Sequence, residues 1–221
     1  MRYLLTAAGI CVGVHAVAVA AQSPKTIRVP SGWNAASPQS ADLADVLWRL
    51  AVASDVTIGL EQAPDQPAAA YASPTEGLTV GDALDSLLGG MYEWREIDGV
   101  FVVRPAGAWT DRRNPLNQRF AHIHVSGLSS SSALVGIRNA IFTGRFVPSR
   151  AAAGNVALSG EGATAIDLLN QLARVVGQSM WLVSSNPPTS ANRPGYVLQL
   201  RDTQGITAVT SSLQRPLTAR R

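Results

Sequence analysis

Hydrophobic positions along the chain recur with two periods, and the switches between them outline the elements. Leu43, Val46, Leu47 and Leu50 fall at i, i+3, i+4 and i+7 behind Ser40, a residue type suited to a helix N-cap, while Asp42, Asp45 and Arg49 take the opposite face. This predicts an amphipathic helix. Val56-Thr57-Ile58 then reads as a short strand, because β-branched side chains suit extended backbone. The Pro-, Ala- and Gln-rich stretch 63–74 reads as a loop. A second helix starts behind Thr79, with Asp82 three residues on in a capping-box arrangement. Val80, Ala83, Leu84 and Leu87 make its apolar stripe, and Gly89-Gly90 ends it. Met91 to Arg95 alternates, Asp98-Gly99 supplies a turn, and Val100 to Val103 returns, the strongest hairpin signal in the chain.

The polar stretch 106–118, broken by Pro115, reads as a linker, and the plan then repeats. Phe120 to Val125 predicts a strand, Ser129 to Ser132 the cap of a helix bearing Leu134, Ile137 and Ile141, and 155–158 a short strand. Thr164 with Asp167 repeats the capping box ahead of Leu168, Leu169, Leu172 and Val176, and Gly177 stops that helix. Met180 to Val183 and Tyr196 to Leu200 close the second half as two strands. Setting Asp82 against Asp167 also sets Leu84 against Leu169 and Leu87 against Leu172, which predicts an internal duplication, the alternative being two unrelated α+β units with similar caps. The expected fold class is α+β: two small βαβ/αββ-type units in tandem, at 22–105 and 119–202, each with two helices packed on a short mixed sheet. Residues 203–221, polar and ending in Arg220-Arg221, read as a flexible tail.

Composition narrows the classes. With 221 residues, 46% hydrophobic and 15% charged, the chain has material for one large or two small cores, which excludes a disordered chain and a multi-span membrane protein. The formal charge of +3 is scattered rather than blocked, so no nucleic-acid partner is expected. Arg2, the apolar run Tyr3 to Ala20 and the small residues at 18–21 read as a cleaved signal peptide over 1–21. That implies a periplasmic or secreted protein with no stable membrane span after cleavage. The rival is a retained anchor, since the run approaches the roughly 20 residues that cross a bilayer. Cys11, the only cysteine, lies inside this segment, so the processed chain would have no disulfide, thiol nucleophile or thiolate metal site.

The stretches LADVLWRLAVASDVTIGLEQ and GLTVGDALDSLLGGMYEWREIDGVFVVRP resemble the short domain at the N-termini of secretins and TonB-dependent signalling receptors. The matching positions are Leu43, Leu47, Leu50 and Ala51, then Val56 and Ile58, Leu78 to Leu88, and Tyr92 to Val103. The resemblance covers roughly 40–105, and the second half shares it only around Thr164 to Val183. It implies a βαβ followed by an αββ arrangement and a standalone, non-catalytic docking module in the periplasm. The partners implied are a secretion component, an outer-membrane receptor or a membrane-bound regulator, with self-association a further option.

Candidate chemistry is sparse. His122 and His124 sit two apart on a strand and share a face, so they are the weak candidates for a metal site. Two ligands fall short of the three or four that zinc takes, and a pair of solvent- or partner-facing imidazoles is the plainer reading. Ser129 to Ser132 lack a nucleophile elbow and suit helix capping. Asp82 and Asp167 suit capping as well, and Gly160 to Gly162 lack the Lys and Ser/Thr of a phosphate loop. Neither catalytic residues nor a cofactor are expected. Of the tryptophans, Trp94 and Trp181 read as core of their own units, while Trp48 and Trp109, with His122 and His124, are the candidate partner-binding residues. Two alternatives stand beside docking: a metal-dependent envelope enzyme built on His122 and His124, and a cell-wall glycan-binding module presenting Trp48 and Trp109.

Overall fold

A computed structural model of the chain describes residues 27–31, 42–63, 71, 77–149, 154–186 and 195–213. In chain order the elements are α1 (Leu43–Ser54), β1 (Thr57–Gln62), α2 (Val80–Leu88), β2 (Tyr92–Ile97), β3 (Val100–Pro105), β4 (Arg119–Leu128), α3 (Ser130–Thr143), β5 (Val156–Thr164), α4 (Ala165–Val175), β6 (Met180–Asn186), β7 (Gly195–Arg201) and β8 (Ile206–Leu213). Local chemistry explains most boundaries. Thr79 Oγ1 accepts the Asp82 N–H at 3.1 Å to start α2. At α4 the box is reciprocal, with Asp167 N–H on Thr164 Oγ1 and Thr164 N–H on Asp167 Oδ2. Ser129 caps α3 through the Ser132 N–H. Ser40 lies outside the described residues, and the N-cap position of α1 is held by Asp42, which makes no side-chain cap bond. The β2–β3 turn sets Asp98 and Gly99 at φ 52° and 76°, the left-handed pair that a tight two-residue hairpin needs.

Six strands form one mixed sheet in the order β2-β3-β1-β6-β7-β8, with β1 parallel to both β3 and β6 and the other neighbours antiparallel. Side-chain alternation divides its core in two. Ile58, Leu60, Phe101, Val103, Met180 and Leu182 pack with α1 and α2 on one face. Val100, Val102, Trp181, Val183, Leu198 and Leu200 pack with α3, α4 and the β4–β5 ribbon on the other.

The α+β class holds, but the two halves do not each close a sheet of their own. β6 from the second half pairs with β1 from the first, with Gly59 opposite Trp181. A Cβ at Gly59 would lie 2.2 Å from the indole, so only glycine lets the fully buried Trp181 lie across this seam. The topologies also differ. β1 joins β3 within its own half, whereas β5 leaves the main sheet and, among the described residues, pairs only with β4.

Two further expectations change. The segment read as a linker, 106–118, is packed: Leu116, in a 3-10 turn at Pro115–Asn117, is buried, and the strap is bonded to the central strands. Arg104 Nε donates to Glu61 Oε2 at 2.6 Å, Arg104 Nη1 to Asn117 Oδ1 at 2.7 Å, and Asn114 Nδ2 to Glu61 Oε1 at 2.5 Å. The stretch read as a flexible tail supplies β8, while 214–221 lie outside the described residues. Asp202 turns the chain by accepting the Gln204 and Gly205 N–H groups, and Ile206, Thr207, Val209 and Thr210 then favour extended backbone.

Candidate functional site

His122 and His124 stand on the outward face of the β4–β5 ribbon, opposite Glu161 and Ser159. His122 Nδ1 is 4.0 Å from Glu161 Oε1, with the two side chains 70% and 87% exposed. The pair therefore shares a face, as its spacing implies, with one carboxylate beside it. Among the described residues no group of three His, Cys, Asp or Glu gathers in a way that would hold a metal ion.

Both tryptophans proposed as contact residues are half-buried and engaged. Trp48 packs on the core beneath α1 and donates its indole N–H to the Asp202 carbonyl at 2.7 Å, tying α1 to the turn ahead of β8. Trp109 lies under two guanidinium groups, with Arg95 Cζ 4.5 Å and Arg104 Cζ 4.8 Å from its ring centroid. It holds the strap on the sheet. Trp181 is core, as read, but donates to Asn170 Oδ1 while crossing into the first half's strand. Trp94 is half-buried and donates to Asp85 Oδ1 at 2.7 Å, so Asp85 fastens β2 to α2. A cleft of about 400 Å³ opens beside that bond, lined by the end of α2, Gly89, Gly90 and the start of β2. Ser129 and Ser132 serve the α3 cap, and Ser132 Oγ continues to Ser149 Oγ at 3.1 Å. Burial pushes the phenols of Tyr92 and Tyr196 above the usual tyrosine range, and the Glu61 charge adds to both shifts.

The feature that residue-by-residue reading passed over is a backbone one. Among the described residues no strand pairs with the outer edge of β2 or of β8. β2 carries Glu93, Arg95 and Glu96 in six residues. β8 runs Ile-Thr-Ala-Val-Thr-Ser-Ser-Leu, with neither a charge nor a proline. Its Ala208 and Thr210 face α3, where Arg138 Nη1 donates to Thr210 Oγ1 at 2.9 Å, and Val209 on the opposite side is 56% exposed. The β-branched run after the Asp202-to-Gly205 turn was the available signal, and its serines and threonines disguised it as coil. An edge of this composition offers a row of N–H and C=O groups to an extended segment.

No helix among the described residues is long and apolar enough to cross a membrane. Compared with protein-family models, with curated proteins and with solved structures, the chain finds no match.

Proposed function

We propose that the protein is a non-catalytic docking module of the bacterial cell envelope, which takes up an extended segment of another envelope protein along β8. The observation that carries this reading is the uncharged, proline-free edge of an eight-residue strand on a sheet whose other edge is charged. Backbone pairing would supply the affinity, and alternate side chains such as the exposed Val209 the selectivity. Export rests on the signal-like segment 1–21. The pathway, secretion or TonB-linked signalling, rests on the resemblance over 40–105, whose expected helices and hairpin correspond to α1, α2 and β2–β3. The matched caps and stripes of α2 and α4 support a related reading, that the two helix–hairpin segments arose by duplication, with β5 since displaced to the ribbon.

In-cell cross-linking tests the function. A photoreactive residue at Thr207, exposed on β8, should capture a secretion component, receptor or membrane-bound regulator, and one at Glu93 on β2 should not. Equal capture from both positions, or no envelope protein from Thr207, would count against docking through this edge.

A further inference from the structure

We infer that, in the isolated protein, the β8 edge is occupied by β8 of a second copy of this chain, antiparallel about a two-fold axis, so that two sheets become one of twelve strands. The inference rests on the reading of β8 as an open edge, and it adds how that edge is kept from indiscriminate pairing until a partner strand competes for it.

Symmetry supplies the first part of the argument. A two-fold perpendicular to the sheet keeps the α1/α2 face of both copies on the same side, and directly opposite residues in antiparallel strands share a face. The axis must therefore pass between a residue and its own copy. An ionisable side chain at that position would meet its like charge directly opposite, and one next to it would meet its like charge on the diagonal, about 7–8 Å away. From Ile206 to Leu213 no residue can ionise, so every register of self-pairing escapes this penalty. With the axis at Val209, the two Val209 side chains, each 56% exposed in one copy, meet on the α1/α2 side. Ala208 then faces Thr210 of the second copy on the α3 side.

Closure supplies the second part. Pairing through a single edge uses the same patch on both copies and stops at two. Growth into a filament would need β2 as well, and β2 presents Glu93, Arg95 and Glu96, the kind of composition by which edge strands resist pairing. One open edge and one charged edge together specify a dimer.

The test uses the purified full chain with Cys11→Ser, so that an introduced thiol is the only one. Directly opposite residues in an antiparallel pair have Cα atoms about 4.5–5.5 Å apart, inside the roughly 4.4–6.8 Å range of a disulfide. Val209→Cys should therefore oxidise to a covalent dimer, while Met91→Cys, 52% exposed beside β2, should not. By sedimentation velocity the unmodified protein should be a dimer, and Val209→Lys should associate at least about tenfold more weakly, since two ammonium groups would face each other. An unmodified protein that sediments as a monomer over its whole concentration range, or a Val209→Lys protein that dimerises as well as the parent, overturns the inference. Those results leave docking standing, because docking fails instead when Thr207 captures no envelope protein in cells.

Discussion

The two outer strands of the sheet share a backbone and differ in almost everything else. β2 has six residues, three of them charged. It is tied to α2 through Trp94 and Asp85, and its Arg95 lies over Trp109 of the strap. β8 has eight residues, none charged, and is held mainly from one side, by β7 and by α3 through Ala208 and Thr210. Among the described residues neither strand has a partner on its outer side, so the strand order does not distinguish them. The difference lies in the side chains, because an incoming strand at β2 would have to accommodate ionised groups beside it, the composition by which edge strands resist pairing. One sheet can thereby be closed to association at one end and open at the other.

The largest effect should come from erasing that difference. Replacing Glu93, Arg95 and Glu96 together by threonine gives β2 a composition close to that of β8. The protein then has two open edges, and pairing need no longer stop at two copies. Light scattering should show a mass that climbs with concentration instead of levelling off. A mass that still levels off at the parent's value would mean that something other than charge, such as the twist of the hairpin, closes β2.

Much of the scaffold behind this comparison was legible in the sequence, for a physical reason. The stripe Leu43, Val46, Leu47 and Leu50 is buried throughout, the Thr164 capping box forms in full while Thr79 supplies only the N-cap half of its own, and Asp98-Gly99 makes its turn. Each of these is set by neighbours a few residues away. What the sequence hid depends on distant partners. Gly59 looks like an ordinary interruption of a strand until Trp181 is placed across it, 122 positions later in the chain. Glu61, Arg104, Asn114 and Asn117 are scattered polar residues until the sheet brings them together. The open edge of β8 was hidden for another reason. The docking proposed for it would be carried by main-chain groups, which every sequence has, and only the absence of charge in β8 marks it out. Trp48, Trp109, His122 and His124 stand out as side chains instead, and of these the two tryptophans hold parts of the fold in place.

Both edges belong to one sheet, and substitutions at its centre test whether that sheet is cooperative. Glu61→Ala would leave Arg104, which is fully buried, without its carboxylate. Losing one partner of a buried ion pair typically costs about 3–5 kcal/mol, and the whole sheet should weaken by that amount in denaturant titrations. Gly59→Ala forces Trp181 or the β1 backbone to move at the seam, for a cost of about 1–3 kcal/mol. In both variants indole fluorescence and far-ultraviolet dichroism should report a single coincident transition. Two separate transitions, one for each half, would mean that β2 and β8 sit on units that merely touch, and their contrast would lose its common reference.

The smallest effect separates the two ends by pH. Tyr92 opens β2, is 5% exposed, and accepts the Ala63 N–H on its hydroxyl at 3.0 Å. Burial is the main cause that lifts its pKa above the ordinary value of 10.0. Tyr196, half-buried on β7 beside β8 and packed on Phe142 with ring centroids 5.2 Å apart, is raised in the same way. A phenol whose folded pKa exceeds its unfolded one keeps its proton in the native state while the unfolded chain releases it. The native state then binds more protons, and stability falls as pH rises. That contribution is intact below pH 10 and is lost as pH climbs through the raised folded values. Tyr92→Phe and Tyr196→Phe should each flatten part of the decline in urea midpoint between about pH 9 and pH 11. Near neutrality Tyr92→Phe should cost about 1 kcal/mol for its lost hydrogen bond. If the sheet is one body, either substitution flattens the same global transition. Should Tyr92→Phe protect only the β2 end in hydrogen exchange, and Tyr196→Phe only the β8 end, the two edges would be melting independently in alkali.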